Sequence, residues 1–178
     1  MISEEQVIQE VLNGKAESFR WLIDRYQRPV FRLIFNMIRD HHGAEDATQD
    51  VFVAAYRKLS TFDPTRARFS TWLFTIARNK AINMLRGAKR EIPVDLRDMP
   101  LVDNRSNQVR DSEFFEQMDK ALDQLPPQQK RAFVLAEFEQ LPYEEIAQIE
   151  CVSIGTVKSR IHRAKRRLRH ILDKPQSQ

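Results

Sequence analysis

The stretch SIGTVKSRIHRAKRRLRH, residues 153–170, carries seven Lys and Arg residues and no acid. Through it Ile154, Val157, Ile161, Ala164 and Leu168, followed by Ile171, recur at spacings of three and four, which places them along one side of an α-helix as a buried stripe. Lys158, Ser159, His162, Arg163 and Arg166 fall away from that stripe. The preceding segment, 132–157, has the opposite character, with five Glu and no Lys or Arg. Within it residues 143–149 predict a short amphipathic helix, separated from the basic one by a tight turn, which is a helix-turn-helix pattern. Such a helix fits the DNA major groove, its N-terminal side chains on base edges and its flanking cations on phosphates. A merely solvated basic face, or an amphipathic helix of the calmodulin-target kind, is the competing reading of the same charges.

Outward from this segment, Leu, Ile, Ala, Arg, Glu and Gln dominate and apolar residues keep helical spacing, so the 178-residue chain is read as all-α. An apolar share of 42% suffices for one domain or two small ones. The net charge of +4 is modest, but its distribution is uneven. Residues 1–90 hold fifteen basic and ten acidic residues, 91–126 four and nine, and 127–178 ten and six, so two basic blocks flank an acidic connector. The single cysteine, Cys151, excludes an internal disulfide framework and is expected as a small buried thiol. With no long apolar run and no charged-then-apolar leader, a soluble, cytoplasmic protein without membrane insertion is expected.

Helices are predicted over 4–12, entered at Ser3 as N-cap, and from about residue 18, with Phe19, Leu22, Ile23 and Tyr26 on one face. Pro29 predicts a kink or break before Val30, Leu33, Ile34 and Met37 resume the stripe, because proline inside a helix costs about 3 kcal/mol. His41, His42 and Gly43 read as a turn, and a helix follows over 44–59 with Glu45, Asp46 and Asp50 near its positive end. Residues 60–71 read as a loop and 70–86 as a fourth helix with Trp72, Leu73, Ile76, Ala77, Ile82 and Leu85 as core candidates. This closes a first domain, 1–90. Residues 91–112, with Pro93, Pro100, several Asp and no period, predict a flexible linker. The second domain, 113–178, holds helices near 113–124, 127–139, 143–149 and 155–172, two of them opened by Pro127 and Pro142. Gly14, Gly43, Gly87 and Gly155 read as punctuation between periodic segments.

A second nucleic-acid signal lies between Arg57 and Arg90, where nine basic residues accompany one acid, Asp63, and are interleaved with Phe62, Phe69, Trp72 and Phe74. Cations plus aromatics suit single-stranded DNA: stacking is worth about 1–3 kcal/mol per base, enough to offset extruding a base from a duplex. Trp72 and Phe74 read as core, Phe69 and the loop arginines as the groups free to approach DNA. A catalytic reading finds no nucleophile, metal cluster or Gly-rich phosphate loop, and the four His and one Cys are scattered without ligand spacing. No enzyme, cofactor or metal is expected.

Three segments, AEDATQDVFVAAYRKL (44–59), FSTWLFTIARNKAINML (69–85) and YEEIAQIECVSIGTVKSRIHRAKRRL (143–168), in this order and at these separations, resemble an RNA polymerase sigma factor of the extracytoplasmic-function group. The likeness spans about 8–90 and 114–172. It implies a helical domain for core-polymerase binding and minus-ten recognition, and a helix-turn-helix domain for minus-thirty-five recognition. By the resemblance, Asp46, Gln49, Asp50 and Phe52 form the surface that grips the coiled coil of the polymerase's largest subunit. Arg66, Arg68, Phe69, Asn79, Lys80 and Asn83 open the minus-ten element and capture a flipped base. Thr156, Lys158, Ser159, Arg160, His162, Arg163 and Arg166 read and anchor the minus-thirty-five element. The implied partners are core RNA polymerase, promoter DNA as duplex and melted single strand, and an anti-sigma factor.

Three positions depart from the family pattern. Glu150-Cys151-Val152-Ser153 stands where Leu-Gly-Cys-Pro is usual, so a residue other than glycine occupies the tight turn; Ala136 stands where some relatives carry a DNA-facing arginine; and His162 stands where aromatics occur. The alternative is a helix-turn-helix regulator acting without replacing sigma, although such proteins bind duplex sites as dimers and no dimer helix is evident. A docking adapter that does not read DNA is a third class, against which the base-facing residues argue.

Overall fold

The structure is a computed structural model that describes residues 3–91 and 112–173, with side chains over 3–87 and 117–173. Every regular element among them is helical, in line with the all-α expectation. The chain divides into two compact units, residues 1–86 with 148–151, and residues 87–147 with 152–178. The expected linker, 91–112, lies outside the described residues except for its ends, which close one helix and open the next.

The first unit is built from α1 (Glu4–Leu12), α2 (Phe19–Ile38), α3 (His41–Lys58) and α4 (Phe69–Glu91). Helix α1 starts as expected at Ser3, whose hydroxyl accepts from Gln6 N–H at 3.2 Å while the Gln6 side-chain Oε1 accepts from Ser3 N–H at 2.9 Å. The Tyr26 hydroxyl on α2 donates to the Glu4 carboxylate, tying α1 to α2. Burial, then the Glu4 bond, pushes the Tyr26 phenol up to about 12, so it stays a neutral donor across physiological pH.

The break expected at Pro29 does not occur: α2 runs unbroken through it. Leu22, Val30, Leu33 and Ile34, on both sides of the proline, are each 0% exposed. Burial worth about 1.5–3 kcal/mol per aliphatic side chain outweighs the proline's lost bond. Helix α2 ends at Arg39, in the left-handed region at φ 59. The turn expected at 41–43 is instead the first turn of α3. Asp40 is its N-cap, with Oδ2 accepting from Gly43 N–H at 3.0 Å. A Cβ on residue 43 would stand 2.4 Å from that oxygen, which is why glycine sits inside this helix rather than between helices. Gly87 likewise lies within α4 and is not punctuation.

The loop before α4 is organised by Asp63, whose Oδ1 accepts from Thr65 N–H at 2.9 Å and Thr65 Oγ1 at 2.6 Å. Those bonds hold its carboxyl below the usual range. Leu73 and Ala77 are buried as expected, whereas Leu85 is 37% exposed.

The second unit holds α5 (Ser112–Asp123), α6 (Pro127–Phe133), α7 (Tyr143–Glu150) as far as Ala147, and α8 (Ile154–Leu172). The helix expected over 127–139 is α only to Phe133 and continues as a π-turn over Val134–Phe138. The wider turn puts i and i+5 in line, and Phe138 meets Phe133 edge-on at 6.0 Å. The α8 stripe packs through Ala164 and Leu168 on Ala121, Leu122 and Leu125 of the α5 end and Phe133 of α6. Val157 and Ile161 continue it, but Ile154 is 38% exposed, contrary to expectation.

Between α7 and α8, Cys151 sits at φ 54 and is exposed, not buried as expected. Val152 N–H donates to Ala147 O at 3.1 Å, closing a left-handed helix cap in which residue 151 points away from the core. A non-glycine residue thus does occupy the tight position. Left-handed backbone costs an L-residue about 1–2 kcal/mol. Cys151→Gly is therefore expected to hold or raise the urea midpoint, and Cys151→Val to lower stability by about 1–2 kcal/mol.

Candidate nucleic-acid interface

Ser153 caps α8, its Oγ accepting from Thr156 N–H at 3.2 Å and lying 2.9 Å from Thr156 Oγ1. The cap fixes the helix start, where a major-groove reader presents base-contacting side chains. Because Val157, Ile161, Ala164 and Leu168 face inward, Lys158, His162, Arg163 and Arg166 are left exposed. Thr156, Ser159 and Arg160 are half-buried at the edge of that face. Arg160 Nη2 donates to Gln128 Oε1 on α6 at 2.9 Å, which fixes its direction. Lys165 is drawn aside: its Nζ donates to Glu137 at 2.8 Å, and that carboxylate holds the ammonium above the usual lysine range. Ala136 is half-buried beside it in sequence.

In the first unit, Asn79 and Asn83 are exposed one turn apart on α4, and Arg86 continues the row. Arg78 Nη1 donates to Asn79 Oδ1 at 3.2 Å, leaving the Asn79 amide N–H groups as donors to a ligand. Arg66 and Arg68 are exposed on the loop, with Arg66 Nε 3.7 Å from Asp63. Two expected members of this site are displaced. Phe69 is 1% exposed, enclosed by Tyr26, Phe62 and Trp72, so it is core and no base platform. Lys80 turns to α3, where Nζ meets Asp50 Oδ2 at 2.6 Å.

On α3, Asp46, Gln49 and Asp50 are exposed as expected. Phe52 is not: at 6% exposure it belongs to the buried row Ala44, Ala47, Thr48, Val51 and Ala55. The apolar member of the exposed row is Val53, 48% exposed and seven residues after Asp46. That i, i+3, i+4, i+7 relation was the signal that could have found it. The histidines, expected to be scattered, are partly gathered: His41 and His42, in the first turn of α3, converge on Glu45 in the next. Among the described residues, no helix is long and apolar enough to cross a membrane.

Comparison with known proteins gives two family matches, Sigma-70 region 2 over residues 22–91 and Sigma-70, region 4 over residues 115–168. The ECF RNA polymerase sigma factor SigE of Mycolicibacterium smegmatis is 35% identical over 162 residues, 88% of this chain and 62% of that protein. The RNA polymerase sigma-H factor of Pseudomonas aeruginosa is 33% identical over 175 residues, covering 91% of this chain and 90% of that one. Among solved structures, the sigma factor RpoE in complex with the anti-sigma factor NepR from Bartonella quintana matches with TM-score 0.69 and 27% identity, over 89% of this chain and 99% of that one.

Proposed function

Because this chain belongs to the extracytoplasmic-function group of RNA polymerase sigma factors, we propose that it binds core RNA polymerase and directs promoter-specific initiation under the control of an anti-sigma factor. The observation that supports the reading is the presence, on one chain, of two separate exposed faces suited to nucleic acid. One is the cationic side of α8 and the other the Asn79, Asn83, Arg66 and Arg68 side of the first unit. A duplex-binding regulator needs the first of these and has no use for the second.

In this reading residues 1–90 engage polymerase and the minus-ten element, residues 113–178 engage the minus-thirty-five element, and 91–112 link them. A relaxed coil of about 22 residues spans about 25 Å and an extended one about 75 Å. Elements about 16 base pairs apart are separated by about 55 Å, so polymerase holds the linker stretched. Polymerase performs the chemistry; this family is not an enzyme class, and the chain contributes recognition and strand capture without a catalytic step of its own. Its place of work is the cytoplasm, where core polymerase and promoter are found. The solved relative's anti-sigma complex supports the same mode of control here, by a partner that covers the polymerase and DNA faces.

Run-off transcription with purified core polymerase tests the function. Specific transcripts are expected only when both are present, with weak duplex binding by the isolated chain. Tight, dimeric, polymerase-independent binding to a duplex site is the outcome that favours the regulator reading. Within that assay Arg163→Ala is expected to weaken promoter use by about 1–3 kcal/mol, relaxing specificity at one base position. Unchanged promoter affinity removes Arg163 from the readers.

A further inference from the structure

The first two turns of α3 gather three side chains of metal-ligating type. His41 Nδ1 lies 3.6 Å from Glu45 Oε1, and His42 Nδ1 lies 3.7 Å from Glu45 Oε2. One donor atom from each residue falls within 4.8 Å of the other two. We propose that His41, His42 and Glu45 form a binding site for a divalent transition-metal ion, with Zn²⁺ as its simplest occupant. Nothing in promoter recognition or polymerase binding calls for this cluster, and the proposal stands independently of the sigma-factor reading.

Geometry supports it. Donors on a tetrahedral zinc with bonds of about 2.0–2.1 Å are about 3.3 Å apart. Each imidazole already lies within a few tenths of an ångström of that value from one carboxylate oxygen, His41 from Oε1 and His42 from Oε2. The remaining gap closes by rotation of His42, whose side chain is 81% exposed and unconstrained by packing. His41 is held for the purpose: its ring stands edge-on to Phe31 at 5.2 Å and to Phe35 at 6.2 Å, and its side chain is only 30% exposed. The Asp40 cap fixes the first turn, which carries both histidines, and Glu45 follows on the next turn of the same helix.

The donor set selects the class of ion. Two imidazole nitrogens and one carboxylate suit zinc, nickel or copper, whereas magnesium and calcium take oxygen donors. With three protein ligands the ion keeps open positions for water or for a group on a partner. Binding requires the imidazoles to shed their protons, so affinity falls on acidification. The site adjoins the exposed Asp46, Gln49 and Asp50 row, and occupancy would replace the local negative charge of Glu45 with a net positive one.

Isothermal titration of Zn²⁺ into the full chain, in a non-chelating buffer at neutral pH, tests the proposal. One equivalent is expected, with affinity reduced at least about tenfold in His42→Gln and in Glu45→Gln, and parental binding in Cys151→Ser. Circular dichroism of each variant checks that the helices persist. Cobalt(II) gives a second reading, a visible absorption band that is expected to change in Glu45→Gln. The proposal is overturned by absence of stoichiometric binding at millimolar zinc. It is equally overturned by binding that survives the combined His42→Gln and Glu45→Gln change, or by binding lost in Cys151→Ser.

Discussion

Phe69→Ala is expected to destabilise the first unit by about 3–5 kcal/mol, a large share of a domain stability of about 5–15 kcal/mol. The ring is 1% exposed, and the rings of Tyr26, Phe62 and Trp72 stand 5.7, 5.7 and 5.6 Å from it. Since Phe69 opens α4, the truncation leaves a cavity where α2, the preceding loop and α4 meet. Surrounding aromatic rings are too stiff to collapse fully into it, which puts the cost at the upper part of the range for such changes. Urea unfolding followed by circular dichroism measures this as a fall in midpoint with the slope unchanged. Arg68→Ala, one residue upstream and exposed, is expected to stay within about 1 kcal/mol of the parent while lowering promoter opening. The two variants therefore separate scaffold from contact. Should Phe69→Ala keep parental stability yet lose strand opening, the ring acts on DNA and its assignment to the core is wrong.

That residue also shows what the sequence makes legible and what it hides. Phe69, Leu73 and Ala77 repeat at a spacing of four and share one buried row, so the pattern for a core position was present. Its place in a cationic segment drew the opposite reading, because composition reports which residues are near in sequence and not which side they face. Phe52 has the same history: it is eight residues after Ala44 and four after Thr48, both buried, while the exposed row of α3 passes through Val53. The α8 stripe was legible because nearly every residue off it is charged or polar, which leaves one way to bury the helix.

Other features depend on information that a linear pattern does not hold. The continuity of α2 through Pro29 is decided by packing against α1 and α3, a tertiary term larger than the local propensity that predicted a break. The Asp50–Lys80 ion pair joins residues thirty apart, and it turns one expected DNA contact toward α3. Cys151 in a left-handed cap is the least typical: residue type argues against it, and only likeness to a motif with glycine nearby pointed to a tight position there. The grouping of His41, His42 and Glu45 required knowing that α3 begins at residue 41, since a turn at that point would scatter them.

Asp46→Lys is expected to lower affinity for core polymerase by more than about 100-fold while leaving the chain folded. The residue is exposed on α3 beyond the first turn of the helix, so the change is expected to move stability by no more than about 0.5 kcal/mol. Against a basic partner surface the same change replaces an attraction with like charges in contact, which costs several kcal/mol. The effect should therefore appear in a polymerase-binding titration and be nearly absent from thermal unfolding. Added salt is expected to narrow the gap between parent and variant, because screening at about 1 M reduces the Debye length to about 3 Å and weakens attraction and repulsion alike. Val53→Asp on the same row is expected to act with less salt dependence, since its main cost is burying a charge where an apolar contact stood. Phe52→Ala is expected to behave in the opposite sense, losing about 3–5 kcal/mol of stability and losing polymerase binding only in proportion to unfolding. If Asp46→Lys binds polymerase as the parent does at low salt, the exposed row of α3 does not face a basic partner, and the docking surface must be sought on another helix.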